Sequence, residues 1–154
     1  VTYVIKSKVI PDKDVPGLTW HVQLEPDESL NAMGEPEGDG YTPAQVAAFR
    51  AGDWEYVIVV VTPRLAGLDL DRFRQVLGGV EHGRVTLTDE DDNVTGIRMI
   101  DLDYMIAGMP DDDPGYPVPE MIAEARADMA AKLPALAADL KAAGQAIKRA
   151  ERKR

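Results

Sequence analysis

The residues able to do chemistry in this 154-residue chain are few and scattered. There are two histidines, His21 and His82, and no cysteine. That composition excludes disulfides, thiolate zinc sites and a cysteine nucleophile. A catalytic zinc or iron site usually needs two or three histidines with close carboxylates, and His21, on the polar face of a strand, reads as merely exposed. His82 directly follows Glu81 in the stretch Gly78-Gly79-Val80-Glu81-His82-Gly83. Read as a glycine turn, that stretch makes Glu81 and His82 the named candidates for acid–base work. Serine occurs only at positions 7 and 29, neither in a nucleophile elbow. With 27 acidic residues, further carboxylate pairs are conceivable, but spacing alone does not place them.

Two ligand-binding patterns fail on inspection. Gly78 to Val85 carries glycines at the gap of a phosphate loop, but Arg84 stands where Lys belongs and Val85 where Ser or Thr must touch magnesium. Asp89, Asp91 and Asn93 match the first ligand positions of a calcium loop. Val94 then replaces the required glycine, and Ile100 the bidentate glutamate. The run Asp111-Asp112-Asp113 fails in the same way, with Ile122 at the last position. These clusters read as solvated acidic loops, and no cofactor or metal is expected. Trp54 and Tyr56 share one strand face, either as core or as an aromatic ligand wall.

The elements that must position these residues are legible in part. Positions 1–10 are rich in β-branched residues and read as a strand, followed by a breaker-rich turn over 11–17. Leu18, Trp20, Val22 and Leu24 alternate with polar residues, the mark of a half-buried strand. Pro26 to Gly40 reads as a surface loop. Thr42-Pro43-Ala44-Gln45 opens a short helix with a capping box, Val46 and Phe49 facing inward and Gly52 beyond its end. Val57 to Val61 is an unbroken β-branched run, expected to be central and terminated by Pro63. Residues 69–77 suggest a short helix broken by Gly78-Gly79. Residues 84–88 suggest a strand and 89–93 an acidic turn, while 97–106 fits a strand or a helical turn.

The C-terminal third carries the clearest pattern. Ile122, Met129, Leu133, Leu136, Leu140, Ala143 and Ile147 recur at alternating four and three spacing, interrupted by Arg126. That draws one narrow apolar stripe along a long helix. Pro134 lies inside it, which predicts a kink, or alternatively a split into two helices. The stripe must be covered by the rest of the chain or by another helix. Met129, Leu133, Leu136, Leu140 and Ile147, with Lys148, Arg149 and Arg152, are therefore the expected interaction residues.

Charge is unevenly placed. Residues 1–140 hold 11 Lys/Arg against 26 Asp/Glu, a net of −15, whereas residues 141–154 hold six against Glu151 alone, a net of +5. An acidic body disfavours nucleic acid, except through the basic tail, and favours a protein partner with a basic surface or a second copy of the chain. The basic end also complements a helix dipole. No stretch is apolar enough to cross a membrane, no secretory signal is evident, and the absence of cysteine fits a reducing, cytoplasmic setting.

The run from Ala47 to Val57 (Ala-Ala-Phe-Arg-Ala-Gly-Asp-Trp-Glu-Tyr-Val), with Leu77-Gly78-Gly79-Val80-Glu81 downstream, resembles a pattern in small uncharacterised α+β proteins of actinobacteria and their phages. There a short helix enters a Trp-containing strand. The resemblance implies no activity. The expectation is an α+β fold, with an antiparallel sheet of four to five strands covered on one face by the short helix and the long C-terminal helix. An acidic body over 1–118 joins a helix over 119–154 in one structural domain. The expected role is a non-enzymatic interaction or accessory protein of a phage or mobile element, including an inhibitor that mimics nucleic-acid charge. The alternatives are a virion assembly component and a small enzyme using Glu81 and His82.

Overall fold

The computed structural model describes residues 3–32, 40–107 and 118–153. In chain order the elements are β1 (Lys6–Pro11), β2 (Leu18–Pro26), α1 (Glu28–Ala32), α2 (Pro43–Arg50), β3 (Trp54–Leu65), β4 (Leu68–Asp69), a 3₁₀ turn (Asp71–Phe73), β5 (Gln75–Thr88), β6 (Val94–Ile100), α3 (Leu102–Ala107) and α4 (Val118–Arg152). The fold is α+β. An antiparallel sheet runs β1-β2-β3-β5-β6, with β4 paired to the end of β3, and it curls into a half-barrel. α3 touches both β1 and β6, the outermost strands, and Lys8 Nζ meets Asp103 Oδ1 at 2.8 Å across that gap.

Strand alternation builds the core. Leu18, Trp20, Val22 and Leu24 stand opposite Leu65, Pro63, Val61 and Val59, and all but the half-buried Leu65 are buried. α4 lies on this side. Its buried residues are Val118, Met121, Ala125 and Met129, and Ile122 and Leu133 pack at their margins. Burying each methionine contributes about 1.5–3 kcal/mol. The even-numbered residues of β3 face the other way, and there α2 sets Phe49 against Trp54 and Tyr56. The two helices thus divide between the faces of β3 instead of sharing one. This is why Tyr56 and Val57 are both buried.

Three local expectations are corrected. Pro63 does not end β3; it is buried within the strand, which continues to Leu65. Its carbonyl accepts from Leu70 N–H, so its missing N–H faces the same side, beyond the last β3–β5 pair at Val61 and Gln75. Residues 69–77 form β4, a 3₁₀ turn and the start of β5. Gly78-Gly79 does not break β5 but forms a bulge, two residues opposing Ile58 where the register shifts. Pro26 to Gly40 is not loop throughout: α1 follows β2 directly. The ambiguous segment resolves into the end of β6, then α3. The Asp111-Asp112-Asp113 run lies outside the described residues.

Candidate functional site

The structure does not bring Glu81 and His82 together. They are adjacent on β5, so the strand sends them to opposite faces. Glu81 Oε1 accepts a hydrogen bond from the Tyr41 hydroxyl at 3.1 Å, beside the Trp54–Tyr56–Phe49 ring cluster. Burial, then the Tyr56 hydroxyl and the Glu81 charge, raise the Tyr41 phenol well above its ordinary range, so it stays protonated and donating. Trp54 and Tyr56 are buried edge to face, with Trp54 Nε1 donating to the Gln45 carbonyl. They are core, joining α2 to β3. His82 Nδ1 lies 3.5 Å from Glu55 Oε1, in an open cleft of about 410 Å³ also lined by Phe49, Gly52, Asp53, Trp54 and Gly83. This contact is long for a hydrogen bond.

The capping box that opens α2 is present in full. Thr42 Oγ1 accepts from Gln45 N–H, and Gln45 Oε1 accepts from Thr42 N–H. Gln45 also donates to the Thr86 carbonyl, tying the helix start to β5. The Asp89 carboxylate accepts from the N–H groups of Asp91 and Asn93, which makes the acidic segment the β5–β6 hairpin turn. Among the described residues no group of three His, Asp or Glu is arranged to hold a metal. No helix among them is long and apolar enough to cross a membrane.

Two buried aspartates were missed by sequence reasoning. Asp27 accepts from Ser29 Oγ and Leu30 N–H at the start of α1, and from Gly79 N–H in the bulge. The Ser29 hydrogen bond outweighs burial and, with these amides, holds Asp27 below its ordinary pKa. Asp12 lies in the β1–β2 turn with no exposed side-chain surface. It accepts from Trp20 Nε1 at 2.8 Å, from the N–H groups of Asp14 and Val15, and from Arg126 Nη2 of α4. Arg126 Nη1 also reaches Asp14 at 3.1 Å. Burial pushes the Asp12 pKa up, but those four donors together bring it down to about 2. Arg126 is therefore not a flaw in the apolar stripe. It is the anchor that ties α4 to the β1–β2 turn.

Past Leu133 the stripe runs out into solvent. The helix is continuous from Val118 to Arg152, so Pro134 does not split it. The expected interaction residues fall into two groups. Met129 is buried in the chain's own core and Leu133 packs against its edge, because the half-barrel ends there. Leu136 is half-exposed, Leu140 is 65% exposed and Ile147 63% exposed, and Lys148, Arg149 and Arg152 are exposed with them. From Leu133 to Arg152, an arm of about 30 Å at 1.5 Å per residue projects from the head. At its root an apolar groove of about 310 Å³ opens between Val15, Leu18, Leu65, Met129 and Leu133. Compared with models of known families, with curated proteins and with solved structures, the chain matches none.

Proposed function

We propose that this protein is a non-enzymatic interaction protein, an acidic head that presents a helical arm to a protein partner. The observation that carries the reading is the apolar stripe running on past the head, with Leu140 and Ile147 in solvent on an unbroken helix. Large aliphatic side chains repeated at coiled-coil spacing gain nothing from water and are suited to the groove of another helix. The net charge of −15 over residues 1–140 favours a partner with basic surface. The resemblance of Ala47–Val57 and Leu77–Glu81 to phage and actinobacterial proteins supports an accessory role in a phage or mobile element, in a cytoplasmic setting. Inhibition by mimicry of nucleic-acid charge is one form this could take.

The test is affinity capture with the wild-type chain, a Leu140→Glu/Ile147→Glu variant and a His82→Ala variant. Capture lost in the arm variant and kept in His82→Ala is the expected result. Loss by roughly 0.5 M salt assigns the binding to charge, and persistence assigns it to the stripe. The second reading, a small enzyme, rests on the His82–Glu55 cleft. It requires an activity that His82→Ala abolishes while the arm variant keeps it.

A further inference from the structure

We infer that the arm of α4 pairs antiparallel with the arm of a second copy of this chain. The inference rests on the proposed role of the arm and names its partner.

Three features select a second copy. The first is geometry. α4 is one unbroken helix, so the arm cannot fold back onto its own head, and its tip is held about 30 Å beyond Leu133. The second is charge. The tip carries Lys148, Arg149, Arg152 and Lys153, whereas residues 1–140 carry a net −15. The acidic surface that suits this tip is the head of the same protein, out of reach within one molecule and available on another. The third is the stripe. Leu133, Leu140 and Ile147 recur every seven residues, with Leu136, Ala143 and Ala150 three residues after each. Two arms overlapped antiparallel from position 133 to the tip set Leu133 against Ala150 of the other copy, Leu136 against Ile147, and Leu140 against Ala143. Most of these layers match a large side chain with a small one, and the exposed aliphatic residues of both copies are covered.

Charge also decides the orientation. A parallel pair would set the two clusters of Lys148, Arg149, Arg152 and Lys153 side by side, and like charges repel. The antiparallel pair separates them by the length of the overlap. It brings each tip to the other copy's apolar groove beside Leu133, where Asp14 is largely exposed. It also opposes the two helix dipoles. Arms this rich in alanine bury less than the roughly 800 Å² per partner of a standard interface. The contacts of tip with head at both ends enlarge that area, so a dimer of micromolar strength that weakens with salt is expected.

The chain has no cysteine, so Lys153→Cys gives a single spin-label site at the tip. Pulsed dipolar spectroscopy on the full chain is expected to return a tip-to-tip distance of about 35 Å, from 23 residues of offset at 1.5 Å each. Dilution with unlabelled chain should reduce the coupling. A distance below about 20 Å would mean a parallel pair and overturn the inference. Absence of intermolecular coupling at the highest soluble concentration would also overturn it. In that case the interaction role survives only if a captured protein is still lost in the Leu140→Glu/Ile147→Glu variant. If nothing depends on those two residues, both the pairing and the role fail.

Discussion

Replacing Asp12 by asparagine tests the anchor that sets the direction of α4. The wild-type carboxylate is buried and accepts four hydrogen bonds, from Trp20, Asp14, Val15 and Arg126. An amide keeps one acceptor oxygen but turns an N–H₂ donor toward other donors. The magnitude follows from linkage. The pKa is lowered from 3.8 to about 2, and each unit is worth about 1.4 kcal/mol, so ionised Asp12 contributes at most about 2.5 kcal/mol at neutral pH. Because the folded value is the depressed one, this stability is present above pH 3.8 and is lost as pH falls through about 2. The substituted amide cannot titrate. Urea unfolding of both proteins should therefore show the variant less stable by about 2 kcal/mol at pH 7, and the gap should narrow between about pH 4 and pH 2. Taking the difference between the two proteins removes the titration of the other carboxylates. A gap that is absent at pH 7, or unchanged down to pH 2, would refute the role assigned to Asp12 and Arg126.

Gly83→Ala should destabilise by about 2 kcal/mol or more. The added methyl would lie 2.5 Å from the Asp53 carbonyl oxygen at a φ of +119, while Gly96→Ala, with nothing within 4 Å, meets no clash; thermal melts of both check this. Thr42→Ala removes the cap of α2 and should cost about 1 kcal/mol by chemical denaturation. Met129→Ala should cost about 2–4 kcal/mol, whereas Leu140→Ala, on the same stripe but outside the head, should leave the unfolding of dilute monomer within about 0.5 kcal/mol of wild type.

Much of the fold was legible because local chemistry and final structure agree. The alternation of Leu18, Trp20, Val22 and Leu24 needs only a strand with one buried side. The Thr42–Gln45 box acts within four residues. What escaped notice depends on partners far along the chain. Gly78 and Gly79 look like a terminator, and they become a bulge because the Asp27 carboxylate, 52 residues away, fills the space beside Gly78 and accepts from Gly79 N–H. Once β5 is seen to continue through them, Glu81 and His82 must part to opposite faces. Arg126 looks like a defect in a periodic stripe because its partner Asp12 lies 114 residues earlier. An isolated cation inside an apolar seam, with carboxylates in a distant turn, was the available signal. The stripe itself was legible, but the point at which it leaves the head was not, since that depends on how far the curled sheet extends.

The central claim is that the stripe serves the head as far as Leu133 and another molecule beyond it. Light scattering after size-exclusion chromatography, on wild type and on Leu136→Glu/Leu140→Glu at equal concentration, tests it most directly. A wild-type dimer and a folded monomeric variant are expected. A wild type that stays monomeric when concentrated, or a variant that loses its fold, would contradict the claim.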